Sequence, residues 1–207
     1  MLEGIYMSKT NPIIATMQTY LTTAYGHNLT SKIILDAKEI MQSLIAENTN
    51  DSKAVKEHTE EKIYPLIGIY RAMQNNGITK AEALAFIDKT YSLMAEPEAE
   101  SIRKMLKIPF AYKLMPKIFK SMTLNFFGEK AGFKAHFYQT SKKQCKFDMQ
   151  KCLYRDVCTK YGCFELTQCF CHTDDVKDGN MHPRIHWNRT KTMGEGGDVC
   201  DFDITVE

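Results

Sequence analysis

The spacing of apolar residues changes partway along this 207-residue chain, and that change constrains the fold more than any other feature. Ahead of Gly128 the apolar residues recur at intervals of three and four, which predicts amphipathic helices. Beyond Gly128 they alternate with polar residues, as in the segment 144–150, which predicts strands. We therefore expect an α+β fold, with a helical region 1–127 packed on a small antiparallel sheet in 128–207. The two regions should form one integrated globular unit.

Several helices are expected in the first region. An apolar stripe after Thr30 and Ser31 predicts a helix that either residue could cap. The segment 51–74 predicts a second helix, kinked by Pro65 because proline lacks the amide hydrogen that a helix interior uses.

A third helix should begin at Thr79, because a threonine followed three residues later by an acid, here Glu82, matches a capping box. We expect this helix to end near Pro97. The stretch 98–127 that follows is basic, amphipathic and broken by prolines. It could contact an anionic membrane or a partner helix, but a solvated lysine face on a packed helix is the more common arrangement, and we adopt that interpretation.

The second region has the pattern of a hairpin, two helices and another hairpin. Turn residues separate the elements, and the apolar alternation defines the strands. The predicted elements are strands at 133–140 and 144–150, helices at 153–161 and 164–176, and strands at 182–191 and 199–206.

Charge and cysteine usage limit the classes of function. The net charge of +2 is the small difference between 27 basic and 25 acidic side chains, so we expect no nucleic-acid partner. No apolar run is long enough for a membrane span, and no export signal is evident. All seven cysteines lie beyond Lys143, an odd number that is typical of free thiols in the cytoplasm, where we place the protein. Whether it forms a homo-oligomer stays open.

Arg189 breaks the alternation of the strand that contains it. It shares a strand face with the apolar Ile185 and Trp187, and a guanidinium there needs an anionic partner because it cannot lose its charge. Arg189 is therefore our anion-binding candidate. The equally weighted alternatives are an internal ion pair with Asp174 or Asp175, or a strand end at which the side chain reaches water.

Reactive groups are densest in 165–175, which reads ELTQCFCHTDD. On a helix, Cys171 and Asp174 would lie on one face, with His172 three residues before Asp175. A nearby carboxylate raises the pKa of a thiol, so Cys171 acting alone as a nucleophile is doubtful.

A metal site is the competing interpretation of the same segment, since thiolate and imidazole ligands are available. No C-x-x-C knuckle is present, however, and the spacing argues against such a site. We expect no metal and no cofactor. The ligands weighed for this alternative are Cys163, Cys169, Cys171, His172 and Cys200.

At these residues the chain resembles the family of L-2-amino-thiazoline-4-carboxylic acid hydrolases. The resemblance is specific over the last third of the chain. The helical front half is similar only in its general pattern. Additional cysteines at 145, 158 and 169 depart from it. The matching residues are Tyr161, Gly162, Cys163, Glu165, Leu166, Phe170, Cys171, Asp174, Arg189, Thr190, Gly196, Gly197, Cys200, Asp201 and Phe202.

The resemblance implies hydrolytic opening of a cyclic amidine that carries a carboxylate. That reaction needs attack on the amidine carbon, an acid for the leaving atom and a cation for the carboxylate. We assign Arg189 as the carboxylate clamp, Asp174 as general base or amidinium partner, and Cys171 as nucleophile or pocket thiol.

The remaining site residues have supporting roles in this hypothesis. Glu165 or His172 is the acid, and Gly196, Gly197 and Asp201 line the substrate side, although a plain flexible hairpin explains the two glycines equally well. The alternative function is a module that binds a small molecule or a metal through the Cys/His-rich segment, without turnover.

Overall fold

The computed structural model describes residues 11–138 and 140–207, and it confirms an α+β fold. Helices dominate the first part of the chain and an antiparallel sheet lies in the second. The helices are α1 Pro12–Glu47, α2 Lys53–His58, α3 Tyr64–Asn75, α4 Lys80–Met105, α5 Met115–Phe126, α6 Leu153–Lys160 and α7 Thr167–Asp178. The strands are β1 Lys134–Phe137, β2 Gln144–Lys151, β3 Ile185–Asn188 and β4 Cys200–Val206.

Helix α1 begins well before the predicted cap at Thr30 or Ser31, so that boundary is wrong. Asn11 caps it instead, since its side chain accepts hydrogen bonds from the backbone N–H groups of Ile13 and Ile14. The helix consists of two arms that meet at Gly26, whose φ of 78° breaks the helical geometry. Thr30 lies buried within the second arm.

The expected kink at Pro65 takes the form of a π-helical turn at Thr59–Ile63, between α2 and α3. Pro65 lies just after this turn and cannot donate to a carbonyl of the preceding turn, and the Asn11 side-chain amide donates to the Glu60 and Glu61 carbonyl oxygens instead. Single π-helical turns often occur near functional sites, and this one carries Lys62.

Helix α4 runs through Pro97, so the predicted end of this helix is wrong while its start is confirmed. The Thr79 hydroxyl accepts from Glu82 N at 3.3 Å, and the Glu82 carboxylate accepts from Thr79 N at 3.1 Å. A proline inside a helix costs about 3 kcal/mol, and continuation beyond it places Ala99 and Leu106 in the core.

The first core layer forms where α1 packs against α3. At their crossing, a Cβ on Gly68 would lie 2.6 Å from the carbonyl oxygen of Ala37, so only glycine permits this approach. The surrounding residues are large and apolar, including Ile33, Leu66 and Ile69.

The four strands lie in the order β1-β2-β4-β3, with antiparallel neighbours throughout, which confirms the two predicted hairpins. Phe147 pairs with Phe202 across β2 and β4, and their rings stack with centroids 4.7 Å apart. Helix α5 covers this apolar face, where Phe119 contacts Trp187 at 5.7 Å.

Within the described ranges, no helix combines the length and the apolar character that crossing a bilayer requires. The predicted basic stretch is helical for most of its length. It comprises the end of α4, a short 3-10 turn at Ala111–Leu114, and α5.

Candidate active site

Arg189 follows directly after β3 and turns its side chain toward the apolar face of the sheet. Only 4% of that side chain is exposed. Its guanidinium carbon lies 5.8 Å from the ring centre of Trp187 and 5.5 Å from that of Phe202, within the range of cation–π contacts. The strand phase in the sequence therefore located this charge correctly.

Helix α7 supplies the acceptors that Arg189 needs. Its Nη2 lies 2.7 Å from Asp175 Oδ1 and donates to the carbonyl oxygen of Cys171 at 3.1 Å, and its Nη1 lies 3.4 Å from Asp174 Oδ2. The internal ion pair that we kept as an alternative is thus present. Because so little of the Arg189 side chain is exposed, a substrate carboxylate would have to displace one of these acceptors to reach it.

The Cys171 side chain lies on the buried side of α7, against the turn that precedes β4. Burial raises its pKa to about 12, and the nearby Cys200 thiol and Asp174 carboxylate add to the shift. Cys152 has its pKa raised to about 12 as well, again chiefly by burial. Both thiols are therefore neutral at physiological pH, and neither is a ready nucleophile.

Two carboxyl groups four residues apart, Asp174 and Asp178, follow Cys171 along the same side of α7, three and seven residues further on. Burial raises the pKa of Asp174, against the opposing effect of Lys177 and Arg189. Burial and the neighbouring Asp174 raise the pKa of Asp178 to about 7. A carboxyl group with such a pKa can both take and give a proton near neutrality. Asp174 keeps 36% of its side chain exposed, so a ligand can reach it.

Two tyrosine rings pack on Phe170 of the same helix. Phe170 on α7 stacks on Tyr154 at 4.6 Å and meets Tyr91 edge-on at 5.5 Å. Burial and then charged neighbours that include Asp174 raise the pKa of both tyrosines, so they stay protonated. The Tyr154 hydroxyl is fixed by His58 Nδ1 at 3.0 Å.

A lysine completes the group. Lys62, on the π-helical turn, lies near enough to Lys177 and Asp174 for their charges to act on it, and burial followed by the charge of Lys177 lowers its pKa. We call Lys62, Tyr91, Tyr154, Asp174 and Asp178 the Asp174 cluster. Perturbed pKa values concentrated in one place, with flat rings beside them, are typical of sites that bind or transform small molecules.

Two predicted site residues lie away from this cluster. His172 Nδ1 lies 2.7 Å from Asp88 on α4. Glu165 accepts from Lys80 at 2.8 Å and from the Tyr70 hydroxyl at 2.5 Å. Burial opposes ionisation of Glu165, but these contacts outweigh it and lower its pKa. Both residues are held by helices of the front half.

The three residues predicted for the substrate side are engaged within the loop before β4. Asp201 accepts from the backbone N–H groups of Thr190 and Lys191 at 2.9 and 2.8 Å. Gly197 N donates to Thr192 O at 2.8 Å, and Gly196 adopts a φ of 93° in the same turn. The amide hydrogen of Gly197 is therefore used within its own turn.

Sequence reasoning brought Cys171, Asp174 and Arg189 together but missed most of the Asp174 cluster. Asp178 lies one helical turn beyond Asp174, which is a detectable signal, but the predicted helix ends at 176 and leaves it out. The sequence gives no signal for the other three members, because they come from three elements that are distant along the chain. These members are Lys62, Tyr91 and Tyr154. In the part of the chain that the structure describes, no three Cys, His, Asp or Glu side chains converge as metal ligands do.

Comparison with known proteins agrees with the resemblance. A family model described as L-2-amino-thiazoline-4-carboxylic acid hydrolase matches residues 56–204. No curated protein matches the chain significantly. The matched span covers well over half of the chain and includes α7, Arg189 and every member of the Asp174 cluster. The chain therefore belongs to the L-2-amino-thiazoline-4-carboxylic acid hydrolase family.

Proposed function

We propose that this protein hydrolyses the ring of a 2-amino-thiazoline carboxylate or a closely related cyclic amidine, and that the reaction takes place at the Asp174 cluster. Membership of the family supplies the reaction class. The single observation that carries the site is the pair Asp174 and Asp178 on one accessible helix face, with the pKa of Asp178 at about 7.

The cluster matches the chemical groups of such a substrate. An amidinium presents two N–H groups, which a carboxylate such as Asp174 accepts in a charge-assisted pair. A flat ring stacks favourably on an aromatic side chain, here Tyr91 or Tyr154. The substrate carboxylate needs a cation, and Lys62 is the one in the cluster.

Arg189 acts in this proposal as a positioning residue. Its two terminal nitrogens already contact Asp174, Asp175 and the Cys171 carbonyl. These contacts hold the part of α7 that carries the two aspartates in place. The role of carboxylate clamp passes to Lys62, while Cys171 serves as a neutral pocket thiol. The predicted acids Glu165 and His172 support the helices and do not meet the substrate.

Water is the attacking group. Its oxygen forms a bond to the amidine carbon while its proton passes to the Asp178 carboxylate, which has the basicity for that transfer. The tetrahedral intermediate then collapses, the bond from that carbon to the ring sulfur or ring nitrogen breaks, and the departing atom takes the proton from Asp178. The net change is the addition of one water molecule and the opening of the ring.

The test is turnover of 2-amino-thiazoline-4-carboxylate, followed by mass spectrometry for a product that has gained one water. Asp178→Asn should lower kcat by about 100-fold or more, because the amide cannot accept the proton. Asp156→Asn is the matched control, since Asp156 is an exposed carboxylate on α6. Tight binding without any turnover would contradict the proposal and favour the non-catalytic binding module.

A further inference from the structure

Exposed apolar side chains are concentrated in the basic segment 103–127. Of the eleven large hydrophobic residues that lie exposed in the described part of the chain, seven fall within these 25 positions. These seven are Met105, Ile108, Phe110, Leu114, Met122, Leu124 and Phe126.

The same segment carries a local excess of positive charge, although Arg103 and Lys104 pair with Glu96 and Glu100 earlier on α4. It contains six of the chain's 27 basic side chains and none of its 25 acidic ones, so the remainder of the chain is net acidic. A solvated lysine face would keep its apolar residues inside, as we first expected for this stretch. The structure instead leaves apolar and basic side chains exposed together.

Ile108 and Phe110 form an apolar tip between α4 and α5. They are 61% and 67% exposed. Phe110 has a φ of 66°, and it is the one non-glycine residue with positive φ among those that the structure describes. A left-handed backbone is strained for a bulky residue, and here it accompanies a ring that stays exposed. Lys113 Nζ lies 5.0 Å from the ring centre.

A hollow lined with two cations opens beside the tip. Lys107 and Arg184 contribute to its wall. Its aromatic side is Tyr112 stacked on His182 at 4.9 Å, and Arg184 Nη1 donates to the Tyr112 hydroxyl at 3.0 Å. An anionic head group fits such a place next to an inserted apolar tip.

From this arrangement we infer that segment 103–127 is a peripheral binding surface for anionic phospholipid bilayers, into which Ile108 and Phe110 insert while the surrounding lysines contact the head groups. Exposed apolar residues within a lysine-rich face are typical of interfacial membrane binding. Lysine is depleted at protein–protein interfaces, which disfavours a protein partner for this surface.

The experiment is flotation of the full chain with vesicles of phosphatidylcholine alone or mixed with phosphatidylserine. The protein should float with the mixed vesicles and be released by salt, because the head-group contacts are screened. Ile108→Ser with Phe110→Ser should weaken binding by about tenfold or more. Each of Lys107→Gln and Lys113→Gln should weaken it by about fivefold.

Matched controls come from α1, where Leu35 is 60% exposed and Lys32 is also exposed. Leu35→Ser and Lys32→Gln should leave vesicle binding unchanged. A depth probe completes the test: Phe110→Trp in a Trp187→Phe background should shift its emission to the blue on mixed vesicles, and Leu35→Trp in that background should not.

Four results would each overturn the inference. These are absence of binding to the mixed vesicles, equal binding to phosphatidylcholine alone, equal losses in the tip and α1 variants, or an emission at position 110 that does not change. Capture of an acidic protein by this surface without vesicle binding would likewise count against it.

Discussion

Arg189 Nη2 lies 2.7 Å from the Asp175 carboxylate, while the Arg189 side chain is almost wholly inaccessible to solvent. This contact joins the end of β3 to α7, the helix that bears Asp174 and Asp178. On the sheet side, the guanidinium lies near the rings of Trp187 and Phe202. On the helix side, it pairs with the carboxylates of α7. The contacts of Arg189 with Asp174, Asp175 and the Cys171 carbonyl therefore help to fix the position of the candidate catalytic face.

Replacement of Arg189 by lysine should weaken folding as well as activity. An ammonium reaches fewer of the three acceptors than the planar guanidinium does, so we expect the free energy of unfolding to fall by about 1–2 kcal/mol, a value reduced because both carboxylates are partly exposed. Urea unfolding measures the change. Lys177→Gln removes a longer, more exposed contact to Asp174 and should cost less than about 0.5 kcal/mol. Equal stability of the Arg189→Lys and wild-type proteins would contradict this account.

Activity should depend on the ionisation of Asp178. As general base the carboxylate must be deprotonated, so kcat/KM should rise with pH and level off above a pKa of about 7. A pH–rate profile checks this. An acid limb centred near 4, the ordinary value for an aspartate, would remove Asp178 from the role of base.

Stability should change with pH in the opposite sense. Because folding raises the pKa of Asp178, the folded state holds its proton more tightly than the unfolded state does. Stability from this group is therefore full below the unfolded value near 4 and declines by up to about 4 kcal/mol as the pH rises through about 7. Asp178→Asn should flatten this decline in unfolding curves between those two pH values, whereas Asp156→Asn should leave it in place.

Gly194 should tolerate no side chain while Cys171 is present. A Cβ at this position would lie 2.9 Å from Cys171 Sγ and 3.1 Å from Gln168 N. Gly194→Ala should therefore destabilise the protein by about 1–3 kcal/mol. The double variant with Cys171→Ala removes the sulfur and should recover part of that loss. Strict additivity of the two single effects in a double-mutant cycle would show that the sulfur contact is absent.

The Cys171 thiol should be slow to react with alkylating agents. With its pKa at about 12, its thiolate fraction near neutral pH is roughly a thousandfold below that of a free cysteine. Mass spectrometry of iodoacetamide-treated native protein gives the rate for each cysteine. Cys171→Ser should keep kcat within about tenfold of wild type, because water is the nucleophile. Rapid alkylation of Cys171, with total loss of activity in Cys171→Ser, would instead identify it as the attacking group.

Local patterns were enough to predict several features before any packing was known. The capping box at Thr79, the order of two hairpins around two helices, and the apolar phase of Arg189 all follow from rules that act over a few residues. These rules failed where burial outweighed propensity. Helix α4 continues through Pro97 because Ala99 and Leu106 join the core beyond it, and α1 starts at Pro12 because Ile14 and Met17 extend its buried stripe.

The sequence by itself determined that the spacing of apolar residues changes at Gly128. It also determined that one helix carries thiols and acids, and that an arginine lies on the apolar face of a nearby strand. Only the tertiary structure decided which groups share a site. It brought Lys62, Tyr91 and Tyr154 to the acidic face of α7 and turned His172 and Glu165 toward other helices. The physical reason is that pKa values and ion pairs depend on groups distant in sequence, whereas helix and strand patterns depend on close neighbours.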